Sequence, residues 1–163
     1  MKGSAVPRSV FGDSVLTETK KRVFDYWLSR IAQAEIPLFG DLDLLEISYC
    51  LPNIVIFRVE TDPVDFYYRL IGSDVDQHNT GAFTGRLMSE LPGKGPGSMI
   101  WDFFRTVHET RQPALREMPY VGRNKDFERI EIMALPLLGD AGAKDHILVV
   151  TDYLPRYAGS TYK

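Results

Sequence analysis

The chain has 163 residues, of which 44% are hydrophobic and 25% charged, a composition typical of one folded domain and not of a disordered or fibrous chain. Its net charge of -3, from 19 basic and 22 acidic residues, argues against nucleic acid as a partner, because phosphate binding needs clustered Lys and Arg. Cys50 is the only cysteine and no apolar run approaches the ~20 residues that span a bilayer, so we expect a cytoplasmic protein without a membrane partner.

The first predicted element is an amphipathic helix between about Asp13 and Ala34, with Asp13 or Ser14 as its N-cap. Its opposite face carries charged residues, including Lys20 and Lys21. The apolar face consists of Val23, Phe24, Trp27, Leu28 and Ile31. A lone helix cannot leave this face in water, so we expect it to bind a second copy of the chain and form a homodimer.

After a second short helical segment, Leu44 to Cys50, the period changes at Pro52 to that of a sheet. Ile54 to Val59 and Phe66 to Ile71 predict a hairpin, and residues 73 to 91 predict short helical turns. A longer helix from Ser98 to about Thr110 follows. Three further strands are predicted at about Ala114 to Val121, Phe127 to Leu138 and His146 to Tyr153. We therefore predict a flexible leader at 1–12, a helical cap at 13–52, an α+β domain at 53–155 and a flexible tail at 156–163.

Short motifs recur in the order and spacing of a known family. They are Tyr26-Trp27, Ile36-Pro37, Leu51-Pro52, Tyr68-Arg69-Leu70-Ile71-Gly72, Thr84-Gly85-Arg86, Gln112-Pro113, Glu128-Arg129 and Leu135-Pro136-Leu137. Over residues 20–154 the chain resembles the standalone PAS-like proteins of alphaproteobacteria (the PAS_5 type). The resemblance implies a five-stranded antiparallel sheet with helices on one face. It also implies a non-catalytic sensory or protein-interaction module of intracellular signal transduction. No kinase, cyclase or DNA-binding segment follows, so we expect the output to reach a separate signalling protein.

The resemblance also implies a cavity between sheet and helices that holds a small apolar ligand. The sequence identifies no cofactor, which stays unknown. The expected ligand-binding residues are Phe66, Tyr68, Phe83, Trp101, Phe104 and Arg86. The alternative is a filled core and a ligand-free scaffold. Arg69 and Arg86 suit either an anionic ligand or a role in holding the fold, for example through Glu128.

Other motifs give weaker hypotheses. A small enzyme would use Asp74 and Asp76 with His78 as acid and base. His108, on the long helix, is the candidate haem ligand, although it lies at the edge of the buried stripe. Gly93-Lys94-Gly95 lacks the flanking residues of a phosphate-binding loop, and we interpret it as a flexible linker.

Overall fold

The computed structural model describes residues 8–32 and 34–156. Its α-helices are α1 (Glu18–Ser29), α2 (Ser73–His78) and α3 (Met99–Thr110), and its strands are β1 (Ile54–Glu60), β2 (Asp65–Ile71), β3 (Ala114–Pro119), β4 (Phe127–Leu137) and β5 (His146–Pro155). Short 3-10 segments lie at Arg8–Phe11, Phe39–Asp41, Leu44–Asn53 and Met88–Glu90. The strands pair antiparallel in the order β2-β1-β5-β4-β3. The predicted α+β fold with a five-stranded antiparallel sheet is confirmed.

The predicted leader and tail fall partly outside the described residues, which exclude 1–7 and 157–163. The end of the leader differs from a flexible segment. Arg8–Phe11 forms a 3-10 turn, and the Phe11 ring packs edge-on against Phe24 with centroids 4.8 Å apart. Within the described ranges, no helix is both long enough and apolar enough to cross a bilayer.

The sheet is apolar on both faces, because successive residues of the central strands point to opposite sides. In β1, Val55 and Phe57 enter one hydrophobic core, whereas Ile54 and Ile56 enter a second one. Helix α3 covers the first core, which contains Trp101, Phe103, Phe104 and Val107. Helix α1 and the segment Leu44–Asn53 cover the second. The N-terminal helix thus packs on the face that α3 leaves uncovered.

This position of α1 removes the reason for expecting a dimer through it. Val23 and Trp27 are completely buried within the chain itself, and the Trp27 Nε1 donates a hydrogen bond to the Pro136 carbonyl of β4 at 3.0 Å. The helix also begins later than predicted, since Thr17 is its N-cap and accepts a hydrogen bond from the Lys20 amide. The partner of this apolar face is the chain's own sheet.

Lys20, which the periodicity places on the polar face of α1, is completely buried. Its Nζ donates to the Glu131 Oε1 at 2.7 Å and to the Glu131 carbonyl at 2.9 Å, and lies 2.8 Å from the Asp152 Oδ2. Glu131 and Asp152 are paired neighbours on β4 and β5. Thr17 donates a further hydrogen bond to Asp152 at 2.9 Å. One ammonium therefore joins the start of α1 to two strands.

A second polar contact fixes the segment before the sheet. The buried His146 ring stacks on Phe39 with centroids 3.7 Å apart, and the Arg69 guanidinium lies 4.7 Å from the Phe39 ring centre. His146 Nδ1 lies 3.0 Å from the Lys144 carbonyl, and Nε2 lies 3.0 Å from Arg69. The neutral tautomer that donates to Lys144 and accepts from Arg69 satisfies both. Arg69 therefore has the fold-holding role rather than that of an anion site.

We expect Lys20→Ala to lower the free energy of unfolding by roughly 3 kcal/mol, because the change leaves two carboxylates facing each other without their cation. Urea unfolding monitored by tryptophan fluorescence measures the loss. Lys21→Ala, an exposed neighbour on the same helix, is the control and should change stability by no more than about 0.5 kcal/mol. Equal losses in the two variants would contradict the buried ion cluster.

We expect stability to fall as the pH drops from about 6.5 towards 4. Burial, followed by the charge of Arg69, lowers the pKa of His146 to about 4. Between the two pKa values the unfolded chain takes up a proton at this ring while the folded chain does not, so acid favours unfolding. The shift corresponds to at most about 3 kcal/mol. Urea unfolding of His146→Gln across this range should show a shallower pH dependence than the wild type, and an identical slope would refute the assignment.

Candidate functional site

A cavity of about 100 Å³ lies between the sheet and α3. The sheet side of its lining comes from the central strands and β4, with Val55, Phe57, Ile130, Ile132 and Val149. Phe104 of α3 and Val75 of α2 line the opposite side. A mainly apolar hollow of this kind, built on rigid strands, suits the apolar body of a small molecule.

A group of aromatic rings closes one end of the cavity. His78 stacks on Tyr153 with centroids 3.6 Å apart and meets Phe127 edge-on at 5.0 Å. Its Nδ1 lies 2.8 Å from the Tyr120 hydroxyl. Burial lowers the pKa of His78, against the opposing charge of Asp74, and burial raises the pKa of Tyr153. The neutral imidazole is thus the favoured form in this cluster.

The loop at residues 120–126 joins this cluster to the cavity mouth. The Tyr120 hydroxyl accepts a hydrogen bond from the Asn124 amide at 3.0 Å while it also meets His78. Gly122 lies so close to α2 that a Cβ there would be 2.6 Å from the His78 carbonyl oxygen, so only glycine fits. Val121 lines the cavity and is 73% exposed, so the opening to solvent lies beside it.

Lys94 lies at the same cavity, in the segment between Met88–Glu90 and α3. The side chain is half-buried, and its Nζ lies 5.6 Å from the centre of the Phe83 ring. Desolvation lowers the pKa of Lys94. Gly93-Lys94-Gly95, interpreted from sequence as a linker, therefore contributes a cation to the lining.

The structure separates the expected ligand-binding residues into three groups. Phe83 and Phe104 line the cavity. Phe66, Tyr68 and Trp101 lie beside it in packed core: the Phe66 and Trp101 rings meet at 5.1 Å, and burial raises the pKa of Tyr68. These three rings fill space that the sequence assigned to the ligand.

Arg86 is the third case. It lies at the surface, with its side chain 48% exposed and its Nε 3.8 Å from the Glu90 carboxylate. It does not line the cavity. Its backbone has a clear structural role, since the Arg86 carbonyl accepts a hydrogen bond from the Tyr68 amide at 3.0 Å and so covers the edge of β2.

The residues of the enzyme hypothesis are not brought together in the cavity. His78 lines it, whereas Asp74 and Asp76 are exposed on α2 and do not. An acid and a base must both reach one substrate, so this arrangement lacks the geometry that the hypothesis requires. His108 does not line the cavity either, and its Nδ1 lies 3.8 Å from the Asp145 carboxylate. Among the described residues, no three His, Cys, Asp or Glu side chains could hold a metal ion.

Sequence reasoning missed His78, Tyr120 and Tyr153 as one cluster, and it missed Lys94 as part of the lining. The cluster comes from α2, the loop after β3, and β5, so no local spacing could reveal it. One signal was available: Tyr120-Val121-Gly122 ends a strand with an aromatic residue and a glycine, a pattern that indicates close backbone approach.

The comparisons agree with this architecture. A family model described as PAS domain matches residues 15–151. This range includes the three α-helices, strands β1 to β4 and most of β5. No curated protein matches the chain. Because the family model covers well over half of the sequence and the five-stranded antiparallel sheet agrees with it, the chain belongs to the PAS domain family.

Proposed function

We propose that the protein is a cytoplasmic sensory module that binds a small, mainly apolar molecule and transmits its presence to a separate signalling protein, with no chemical step of its own. The observation that carries the proposal is the cavity of about 100 Å³ between the sheet and α3. An apolar cavity of about 150 Å³ admits benzene, so a hollow of about 100 Å³ holds a small branched body, or a ring that lies partly in the opening to solvent.

The two sides of the cavity differ in stiffness, which supports a sensory role. On one side lie strands β1, β4 and β5, which are hydrogen-bonded to neighbours along both edges and packed on both faces. The rest of the lining comes from the packed helix α3, from the six-residue helix α2 and from residues 120–122 of the loop at 120–126. A ligand that enters therefore meets two packed walls, the sheet and α3, and a third part formed by α2 and the loop, which is the part that moves.

The Arg123 amide of the loop donates to the His78 carbonyl at 3.4 Å, and a second contact between the loop and α2 runs through Tyr120. Its hydroxyl joins the loop, through the Asn124 amide, to α2, through His78. A ligand beside His78 changes this arrangement at the surface, where a partner protein can detect it. The dimer expected through α1 is not part of the proposal, since the apolar face of that helix is buried on the sheet.

We expect a neutral ring-sized probe, benzyl alcohol, to shift the methyl NMR signals of Ile130, Ile132 and Val149, which line the cavity. Ile130→Trp should abolish these shifts because the larger side chain occupies the hollow. Leu115→Trp is the matched control, since Leu115 packs on the opposite core, and it should retain them. Absence of shifts with benzyl alcohol and with charged ring-sized analogues alike would overturn the proposal.

We expect Tyr120→Phe to loosen the loop without unfolding the sheet, because it removes one hydroxyl that makes two contacts. Amide hydrogen exchange at residues 121–126 should accelerate by roughly thirtyfold, because two hydrogen bonds of about 1 kcal/mol each are lost. Exchange at Val149 and Val150, in the middle of β5, is the internal control and should be unchanged. Unaltered exchange in the loop would show that Tyr120 does not hold it closed.

A further inference from the structure

The charge of Lys94 has a different setting from those of Lys20 and Lys144. Lys20 meets two carboxylates, and Lys144 pairs with Glu60. Residues 8–32 and 34–156 supply no carboxylate as an ion-pair partner for Lys94, and its ammonium lies over the Phe83 ring. Since a half-buried ammonium without a counter-ion loses hydration, a bound anion here would recover an interaction that the chain itself does not supply.

The rest of the lining shows what else the anion must carry. The lining beside Lys94 is mainly apolar, with Phe83, Ile100, Phe104 and Val149, and its polar members such as Asn79 and Thr80 are uncharged. A bare inorganic ion would leave these side chains facing water. A molecule with an apolar body and one charged end would cover them and place its charge on the ammonium.

From this juxtaposition we propose that the cavity selects a small organic monoanion, a ring-sized or branched apolar carboxylate, whose carboxylate pairs with Lys94 and whose body lies against Ile130, Ile132 and Phe104. The inference rests on the proposed function, that this cavity holds a small molecule. One ammonium balances one negative charge. A dianion would place its second charge in a lining that has no Lys or Arg besides Lys94, beside a His78 whose neutral form the burial favours.

The test uses two pairs of probes on the full chain: benzoate with benzamide, and 4-methylpentanoate with its amide. Each pair has nearly the same shape and differs in charge. Affinities are measured by isothermal titration calorimetry at pH 7.5, and the methyl signals of Ile130 and Ile132 locate the binding. At least one carboxylate should bind about tenfold more tightly than its amide, and phthalate, a dianion, should bind more weakly than benzoate.

Three variants separate charge from packing. Lys94→Met should remove the preference for the carboxylate and leave the affinity for the amide within about twofold, whereas Lys94→Arg should retain it. Lys21→Met makes the same charge change on α1, on the far side of the sheet, and should bind all probes as the wild type does. Circular dichroism spectra and urea midpoints confirm that each variant is folded.

The outcomes distinguish this inference from the function on which it depends. If amides and carboxylates shift the Ile130 and Ile132 methyls with equal affinity, or if Lys94→Met keeps the preference, the anion selectivity is refuted while the ligand cavity stands. If no probe of either charge shifts those methyls, both fail. A preference for the carboxylate that is lost in Lys94→Met and kept in Lys94→Arg supports both.

Discussion

The fold depends on a sheet that cannot face water on either side. In β5, Ile147 and Val149 point into one core while Leu148 and Val150 point into the other. Antiparallel sheets commonly leave one face in solvent, but a strand that is apolar at every position requires two covers. The chain supplies one before the sheet, α1 with Leu44–Asn53, and one within it, α2 and α3. The cavity of about 100 Å³ lies beneath the second cover.

Three cations show how the same charge serves structure in two places and a candidate site in a third. Lys20 is buried against two carboxylates, and Arg69 lies on an aromatic ring beside a neutral imidazole. Both charges have interaction partners within the chain. Lys20 joins α1 to the sheet, and Arg69 joins the segment at Phe39 to it. Lys94 lies at the second cover, where its ammonium is near the Phe83 ring. Lys20 and Arg69 both have acceptors within the chain, whereas the described residues supply none for the Lys94 ammonium, and on this difference we base the proposal that Lys94 is a binding position.

The sequence was sufficient for the elements and their order, because strand and helix periods are local properties. The runs beginning at Ile54, Phe66 and Phe127 were identified within a residue or two of their strands. Two of the short motifs, Leu51-Pro52 and the one that ends at Gly72, lie in contact. A Cβ at Gly72 would overlap the Leu51 carbonyl, and the Gly72 amide donates to the Ile54 carbonyl at 2.7 Å. Such motif residues therefore report backbone packing and identify the fold.

Long-range contacts could not be predicted in the same way. Helical periodicity placed Lys20 in water, and only the register of β4 with β5 brings Glu131 and Asp152 to it. The apolar face of α1 was correctly identified, but its partner was not. The unbroken apolar run from Ile54 to Phe57 was the available signal that the sheet needs a second cover. For the cavity, sequence identified aromatic residues but could not tell the rings that fill space from those that border it.

The two covers also differ in how we expect them to respond to a bound ligand. The core under α1 is closed by the Trp27 hydrogen bond and by the Lys20 ion cluster, and it is joined to the cavity by the strands between them and by the contact of α2 with Leu44–Asn53. Those strands are held by neighbours on both edges and by side chains on both faces, so they resist displacement. The loop at 120–126 lies outside the sheet and is held at its two ends, by the Tyr120 amide on the Glu128 carbonyl and by the Arg156 amide on the Asp126 carbonyl. It is attached to α2 through the Tyr120 hydroxyl on His78 and through the Arg123 amide on the His78 carbonyl. We therefore propose that a change caused by a bound molecule reaches the surface at α2 and this loop.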